Sequence, residues 1–297
     1  MRRGAIVAVL LLLACAHRPP PPPPPAPPPP PPPPKGERLR FRAKVGDESH
    51  SKVRLTIEQE LAAVQGDKHG ASGKPVTLQF ELGEEEKVDA VAPDGSMLVS
   101  ARIVDAVGQA SQGANQKTVD DMALAFDELR IQFKRQPRGD VTAIGLSGLR
   151  APLEEPTARQ VLNAIYGAQR GSLFPEGPVD VGATWKLSVP MAGSSGYEGE
   201  VHYDYTYARK AGTAAVIGCE GRLDASKAQG SATQRLTGKS ASEYRFDNAA
   251  GRLLGSSVDQ TTQVEAAVQG REALAVGVRQ RMRVEWTLEA ADKDKSP

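Results

Sequence analysis

The four histidines, His17, His50, His69 and His202, are the residues best suited to metal or acid–base chemistry, and their spacing supports neither. None stands at ligand distance along the chain from another His or from a Cys, so no metal site is expected. Gly145-Leu146-Ser147-Gly148 places a serine between glycines. It lacks the last position of a Gly-x-Ser-x-Gly elbow and the strand–turn–helix that frames one. No phosphate loop or dinucleotide fingerprint occurs, so no cofactor is implied. Glu84-Glu85-Glu86 reads as a solvated strand face, with a weak cation site as the alternative. Arg138-Gly139-Asp140 spells an adhesion tripeptide but sits where a turn is expected. Cys219 closes the apolar stretch Ala214-Ala215-Val216-Ile217-Gly218 and reads as a small core residue rather than a nucleophile. What remains is a surface for binding. Tyr203, Tyr205 and Tyr207 alternate along one strand face, each with an apolar ring and a polar tip. They form either a packed face with exposed hydroxyls or the wall of a ligand groove, to which Phe126, Ile165 and Tyr166 would contribute. The expectation is a protein that binds and is not an enzyme, with an unrecognised hydrolase as the remote alternative.

Composition narrows the partners. Lys+Arg is 37 and Asp+Glu 36, a formal net charge of +1, whereas a nucleic-acid binder needs a basic surplus to neutralise phosphates. Hydrophobic residues make up 39% and charged residues 25%, a globular profile with a lean core. Of 24 prolines, 15 fall in one run from Pro19 to Pro34, so proline describes a tether and not the folded body.

The first 15 residues carry an address. Arg2 and Arg3 precede an unbroken apolar run, Ala5 to Leu13, that is too short to span a bilayer as a helix. The run ends in Leu12-Leu13-Ala14-Cys15, which resembles the bacterial lipobox: a Leu three before a Cys, with Leu13 bulkier than usual. That resemblance implies cleavage between Ala14 and Cys15 and acylation of Cys15. The alternative is an ordinary signal peptide cut nearby. Two or more acyl chains suffice for stable anchoring without a transmembrane helix. Residue 16 is Ala rather than the Asp that retains many such proteins at the inner membrane, which favours the outer membrane. Losing residues 1–14 leaves 35 basic against 36 acidic residues, so nothing polybasic remains for anionic lipid. The proline run, broken only at Ala26, would reach on the order of 50 Å as polyproline II and reads as a semi-rigid stalk rather than a groove ligand.

From residue 37 onward the hydrophobic period is two. Leu39, Phe41 and Ala43 alternate with charged residues, and Val53, Leu55, Ile57, Leu61 and Ala63 form one face of a long strand whose other face carries Arg54, Glu58 and Glu60. Val76 to Leu82 continues the pattern. Hairpins are expected over Val88–Val104, turned at Pro93-Asp94-Gly95, and over Ile131–Leu146, turned at Pro137-Arg138-Gly139-Asp140. Two segments switch to a helical period: Val119, Met122, Ala123 and Phe126, with Thr118 and Asp121 as a capping pair, and Thr157 to Gln169, carrying Ile165 and Tyr166. After Pro178 the pattern is strand almost to the end. Leu274, Val276, Val278, Met282, Val284, Trp286 and Leu288 close the body on one parity. Val45-Gly46-Asp47 and Val181-Gly182-Ala183 each precede a strand, a weak echo of two similar half-sheets.

The lipobox, stalk, β-rich body, two mid-chain helices and the segment Phe174-Pro175-Glu176…Val181-Gly182-x-x-Trp185 resemble a family of uncharacterised bacterial lipoproteins, a domain of unknown function. The body also resembles the periplasmic lipoprotein-carrier fold, a curved antiparallel sheet with helices on its concave side. The first resemblance carries no active residues; the second implies hydrophobic cargo. The expected organisation is a signal peptide over 1–14, a lipidated Cys15 and stalk over 15–36, one β-rich α+β domain over 37–290 and a frayed tail over 291–297. The domain should be a long curved antiparallel sheet or half-barrel with two short helices packed on one face. The expected role is a lipid-anchored bacterial envelope protein that is non-catalytic and binds an apolar or lipid ligand or another envelope protein. The alternative is a purely structural module held off the membrane by its spacer.

Overall fold

A computed structural model describes residues 36–65, 68–71, 75–111, 114–127, 129–150, 172–191, 196–229, 232–268 and 275–289. Cys15, the stalk, the expected second helix with Ile165 and Tyr166, and the tail lie outside the described residues. The body is mainly β. Its strands are β1 (Glu48–Gln65), β2 (Lys68–Ala71), β3 (Val76–Val91), β4 (Met97–Ala110), β5 (Arg130–Arg135), β6 (Val141–Ser147), β7 (Thr184–Pro190), β8 (Glu198–Ala211), β9 (Ala214–Gln229), β10 (Ala232–Asp247), β11 (Arg252–Val268) and β12 (Ala275–Leu288). They form one open antiparallel sheet in the order β6-β5-β4-β3-β1-β12-β11-β10-β9-β8-β7, with β2 pairing to β1. The N-terminal strands meander from the middle to one edge, and the C-terminal strands meander from the other edge back to the middle. The last strand therefore does not close an edge: β12 lies against β1 from Ser51↔Leu288 to Val64↔Ala275.

Period-two alternation assigns the faces. Opposed residues in antiparallel strands share a face, so the register groups Val53, Leu82 and Trp286, and next to them Leu55, Phe80 and Val284. This inner face holds the core, including Tyr205, Tyr207, Tyr244 and Phe246 from the C-terminal strands. The outer face carries cross-strand ion pairs: Lys52–Glu289, Arg54–Glu81, Arg235–Asp224 and Arg281–Asp259. A face so charged suits water and not hydrocarbon.

The one helix among the described residues, α1 (Gln116–Phe126), lies between β4 and β5 and packs on the inner face. Phe126 meets Phe80 edge-on, with ring centroids 5.6 Å apart. Gly108 permits the approach, since a Cβ there would stand 2.5 Å from the Val119 side chain. The cap differs from expectation. The helix starts two residues before Thr118, and its N-cap is Asn115, whose side chain makes no capping bond. Instead Gln116 reaches back, accepting from the Ala110 N–H and donating to the Gly108 carbonyl, which ties the helix start to β4.

Leu39–Ala43 has strand periodicity but is not a strand of the sheet. It is an extended strap across one end of it. Leu39 and Phe41 are buried, while the Phe41 N–H donates to the Pro137 carbonyl and the Arg42 N–H to the Gly251 carbonyl. Pro137 lies just after β5 and Gly251 just before β11, five strand spacings apart, or about 24 Å on a flat sheet. Adjacent Cα atoms are only about 3.8 Å apart, so the sheet must curl strongly at this end. Phe41, Phe174 and Phe246 fill the curl, with centroids 4.5 to 5.4 Å apart. The Arg138 turn holds the same packing. The Phe174 N–H donates to the Arg138 carbonyl, Arg138 Nε donates back to the Phe174 carbonyl, and Gly139, at φ +97°, leaves room for Leu173 and Phe41.

Candidate ligand-binding face

The glutamate triplet is not a solvated face. It lies within β3, one continuous strand where two were expected, and the pleat sends its members in opposite directions. Glu85 points outward and pairs with Arg102 and His50. Glu84 and Glu86 point inward. Glu84 is 1% exposed. Its Oε2 accepts from Ser51 Oγ on β1 and from Trp286 Nε1 on β12, both at 2.8 Å, and its Oε1 has no hydrogen-bond partner among the described residues. Burial, and then the neighbouring Glu86 charge, push this acid up to about 7, against the opposing pull of Trp286, Ser51 and Arg135. Glu86 takes a bidentate pair from Arg135 on β5 at 3.1 and 2.8 Å. The Arg135 guanidinium also sits 5.3 Å from the Phe41 ring centroid and 5.1 Å from that of Phe133. Its Nε has no hydrogen-bond partner among the described residues.

Beside this cluster, under the strap, lies a cavity of about 280 Å³ walled by Phe41, Glu86, Val88, Met97, Arg135 and Trp286. From there the inner face runs on toward the other end of the sheet with Ile57, Leu78, Val258 and Met282, apolar but only half-buried. The C-terminal strands contribute small and polar residues to the same face: Gly221, Ser240 and Thr262.

The tyrosine stripe divides. Tyr205 stacks on Trp185 at 5.5 Å and 7° and meets the Cys219 thiol, which burial pushes up to about 12. Tyr207 is fully buried and donates to Glu37, two residues before the strap. Only Tyr203 stays half-exposed, tilted against Tyr205 with centroids 6.0 Å apart. The expected row of exposed hydroxyls is thus absent for Tyr205 and Tyr207, because the curled end of the sheet swallows them. Phe126 packs on Phe80 of β3 rather than beside the tyrosines. Cys15, Ile165 and Tyr166 lie outside the described residues. Sequence reasoning missed Glu84, Glu86, Arg135, Ser51 and Trp286 as a group. The signal was parity: Glu84 and Glu86 continue the Phe80-Leu82 face, and Arg135 continues Ile131-Phe133. Ser147 lies in strand β6, without the turn and helix a nucleophile elbow needs, and His202 is an outward residue bonded to Ser188.

No protein-family model matches the chain, and neither does any curated protein sequence. Among solved structures the chain is similar to a lipovitellin chain, from a structure concerned with lipid–protein interactions in lipovitellin, at 9% identity and a TM-score of 0.49. The likeness covers 83% of this chain and 25% of that one, so this chain spans a quarter of that protein's length.

Proposed function

We propose that this protein is a lipid-anchored lipoprotein of the bacterial envelope, held through Cys15, whose curled sheet binds an apolar or lipid ligand on its inner face without catalysis. The observation that carries this reading is the unfilled part of that face. Ile57, Leu78, Val258 and Met282 share one surface, with a cavity at its curled end, and remain half-buried while Val53, Leu55, Phe80, Leu82 and Val284 on the same face are buried. An apolar concavity with a few placed polar groups is what a ligand of this class requires. Filling it removes those side chains from water, at roughly 25 cal/mol per Å² of apolar surface. The charged outer face keeps the sheet soluble while the inner face holds cargo. Attachment to the outer membrane is the reading that the lipobox resemblance and Ala16 support.

Native mass spectrometry of the full chain purified from cells tests the binding. The expected spectrum contains a lipid-sized adduct that Met282→Lys or Val258→Lys removes without unfolding the protein. A bare chain, or an adduct that survives both substitutions, would overturn the reading. Cys15→Ser tests the anchor separately: the expected product is an unacylated precursor that no longer partitions into detergent.

A further inference from the structure

We propose that the cavity under the strap takes up its apolar ligand together with a proton on Glu84, so that ligand and proton bind as a linked pair. This rests on the apolar-ligand reading above. The geometry makes one wall serve both partners. Trp286 lines the cavity, and its indole N–H is held by Glu84 Oε2. Anything that packs on the ring bears on the group that orients it.

Charge gives the linkage its direction. The charged groups around Glu84 are Glu86 on its own strand and Arg135 on β5, which pair with each other. The other contacting strands bring Ser51 from β1, Ile103 from β4 and Trp286 from β12, all uncharged. At the exposed rim stand Arg42, Asp47, Arg252 and the Glu48–Lys87 pair. With Glu84 protonated the buried cluster carries no net charge. With Glu84 ionised it carries one uncompensated negative charge, and among the described residues Oε1 has no donor to meet it. A ligand in the cavity replaces water as the neighbour of Trp286 and Glu86, and a less polar neighbour disfavours the ionised form further. The bound state therefore prefers the neutral acid, and by reciprocity the neutral acid prefers the bound state. Because burial already holds the acid near about 7 in the free protein, the coupling falls in the neutral range.

The probe is N-phenyl-1-naphthylamine, an uncharged fluorophore, titrated onto the full chain. Binding at about pH 8.5 should be roughly tenfold weaker than at about pH 5.5, the change expected if the ligand raises the acid by about one further unit. Glu84→Gln keeps an acceptor for Ser51 and Trp286 and should bind equally at both pH values. A second readout needs no change at Glu84: the Trp286 indole N–H resonance of the ligand-free protein, assigned with Trp185→Phe, should shift with a midpoint near about 7. Equal binding by the unaltered chain at both pH values, a pH dependence that survives Glu84→Gln, or an indole resonance that does not titrate would each overturn the proposal. If the probe fails to bind at any pH while the resonance still titrates, the apolar-ligand reading itself falls, and the linkage with it.

Discussion

Glu84, Glu85 and Glu86 are three identical side chains in a row, and the pleat gives them two different kinds of chemistry. Glu85 meets Arg102 on the outer face, where the arginine side chain is 59% exposed. Glu86 meets Arg135 on the inner face, where both side chains are below 15% exposed. The outer pair belongs to a ladder of exchangeable surface charges. The inner pair is a fixed element of the core, joined to the strap through the Arg135–Phe41 contact. A charge on this sheet thus matters according to its parity, not its sequence neighbourhood.

The sharpest way to break that comparison is to remove one arginine from each pair. Arg135→Met leaves Glu86 buried and unpaired and should cost about 3–5 kcal/mol, whereas Arg102→Met should cost no more than about 0.5 kcal/mol. Urea melts of the two variants decide it. The double variant Glu86→Leu/Arg135→Met should recover most of the loss, because replacing a buried pair is far milder than halving it. If Arg135→Met were as mild as Arg102→Met, the inner pair would be solvated in solution and the buried cluster would not exist as described.

The inner face is itself uneven, and truncation sharpens this. Phe80 is 1% exposed between Phe126 and the Leu55 position, so Phe80→Ala should cost about 3–5 kcal/mol. Tyr203 is half-exposed on the same face, and Tyr203→Ala should cost about 1 kcal/mol. Equal losses in denaturant melts would mean that the C-terminal part of the face is as tightly packed as the part under α1, leaving no room for cargo.

How far the sequence anticipated this depends on range. Alternation made the strands legible, and Pro93-Asp94-Gly95 and Pro137 to Asp140 marked their turns, because both are local properties of the backbone. Strand order was not legible. That β12 lies against β1 is a contact across more than 200 residues, and both strands have the same alternation any half-buried strand would have. The strap misleads for the opposite reason. Leu39 and Phe41 alternate as a strand does because one side of the segment is buried, but the Phe41 and Arg42 N–H groups go to turn carbonyls rather than to a ladder. The glutamate triplet was obscured by its own polarity: a run of three charges suggests water, while the flanking Leu82 and Val88 placed two of the three inside. Arg135, which makes that placement tolerable, is 49 residues away from Glu86.

Protonation separates the two faces by sign. For Glu84 the folded protein raises the acid from 4.5 to about 7, so the folded state binds its proton more tightly than the unfolded chain. Its contribution is fully present below about 4.5 and is lost as pH rises through 7, a loss of at most about 3 kcal/mol. Glu84→Gln should flatten this part of the stability–pH curve between about pH 5 and pH 8. A curve with the same slope in the variant would assign the effect to another group.

The smallest expected effect lies on the outer face and runs the other way. Asp259 accepts from Arg281 at 2.9 Å and stands 3.5 Å from Arg283; these bonds and charges hold its carboxyl below the ordinary range. A lowered acid contributes stability above its unfolded value and loses it as pH falls through the folded one, opposite in direction to Glu84. The side chain is 41% exposed, so solvent screens most of the gain. Asp259→Asn should cost about 0.5 kcal/mol or less near neutral pH. The difference from the unaltered chain should shrink further as salt is raised toward about 1 M, where the screening length falls to about 3 Å. A cost of several kcal/mol that persisted in high salt would show that the outer ladder is structural after all, and that parity does not divide the charges of this sheet into two classes.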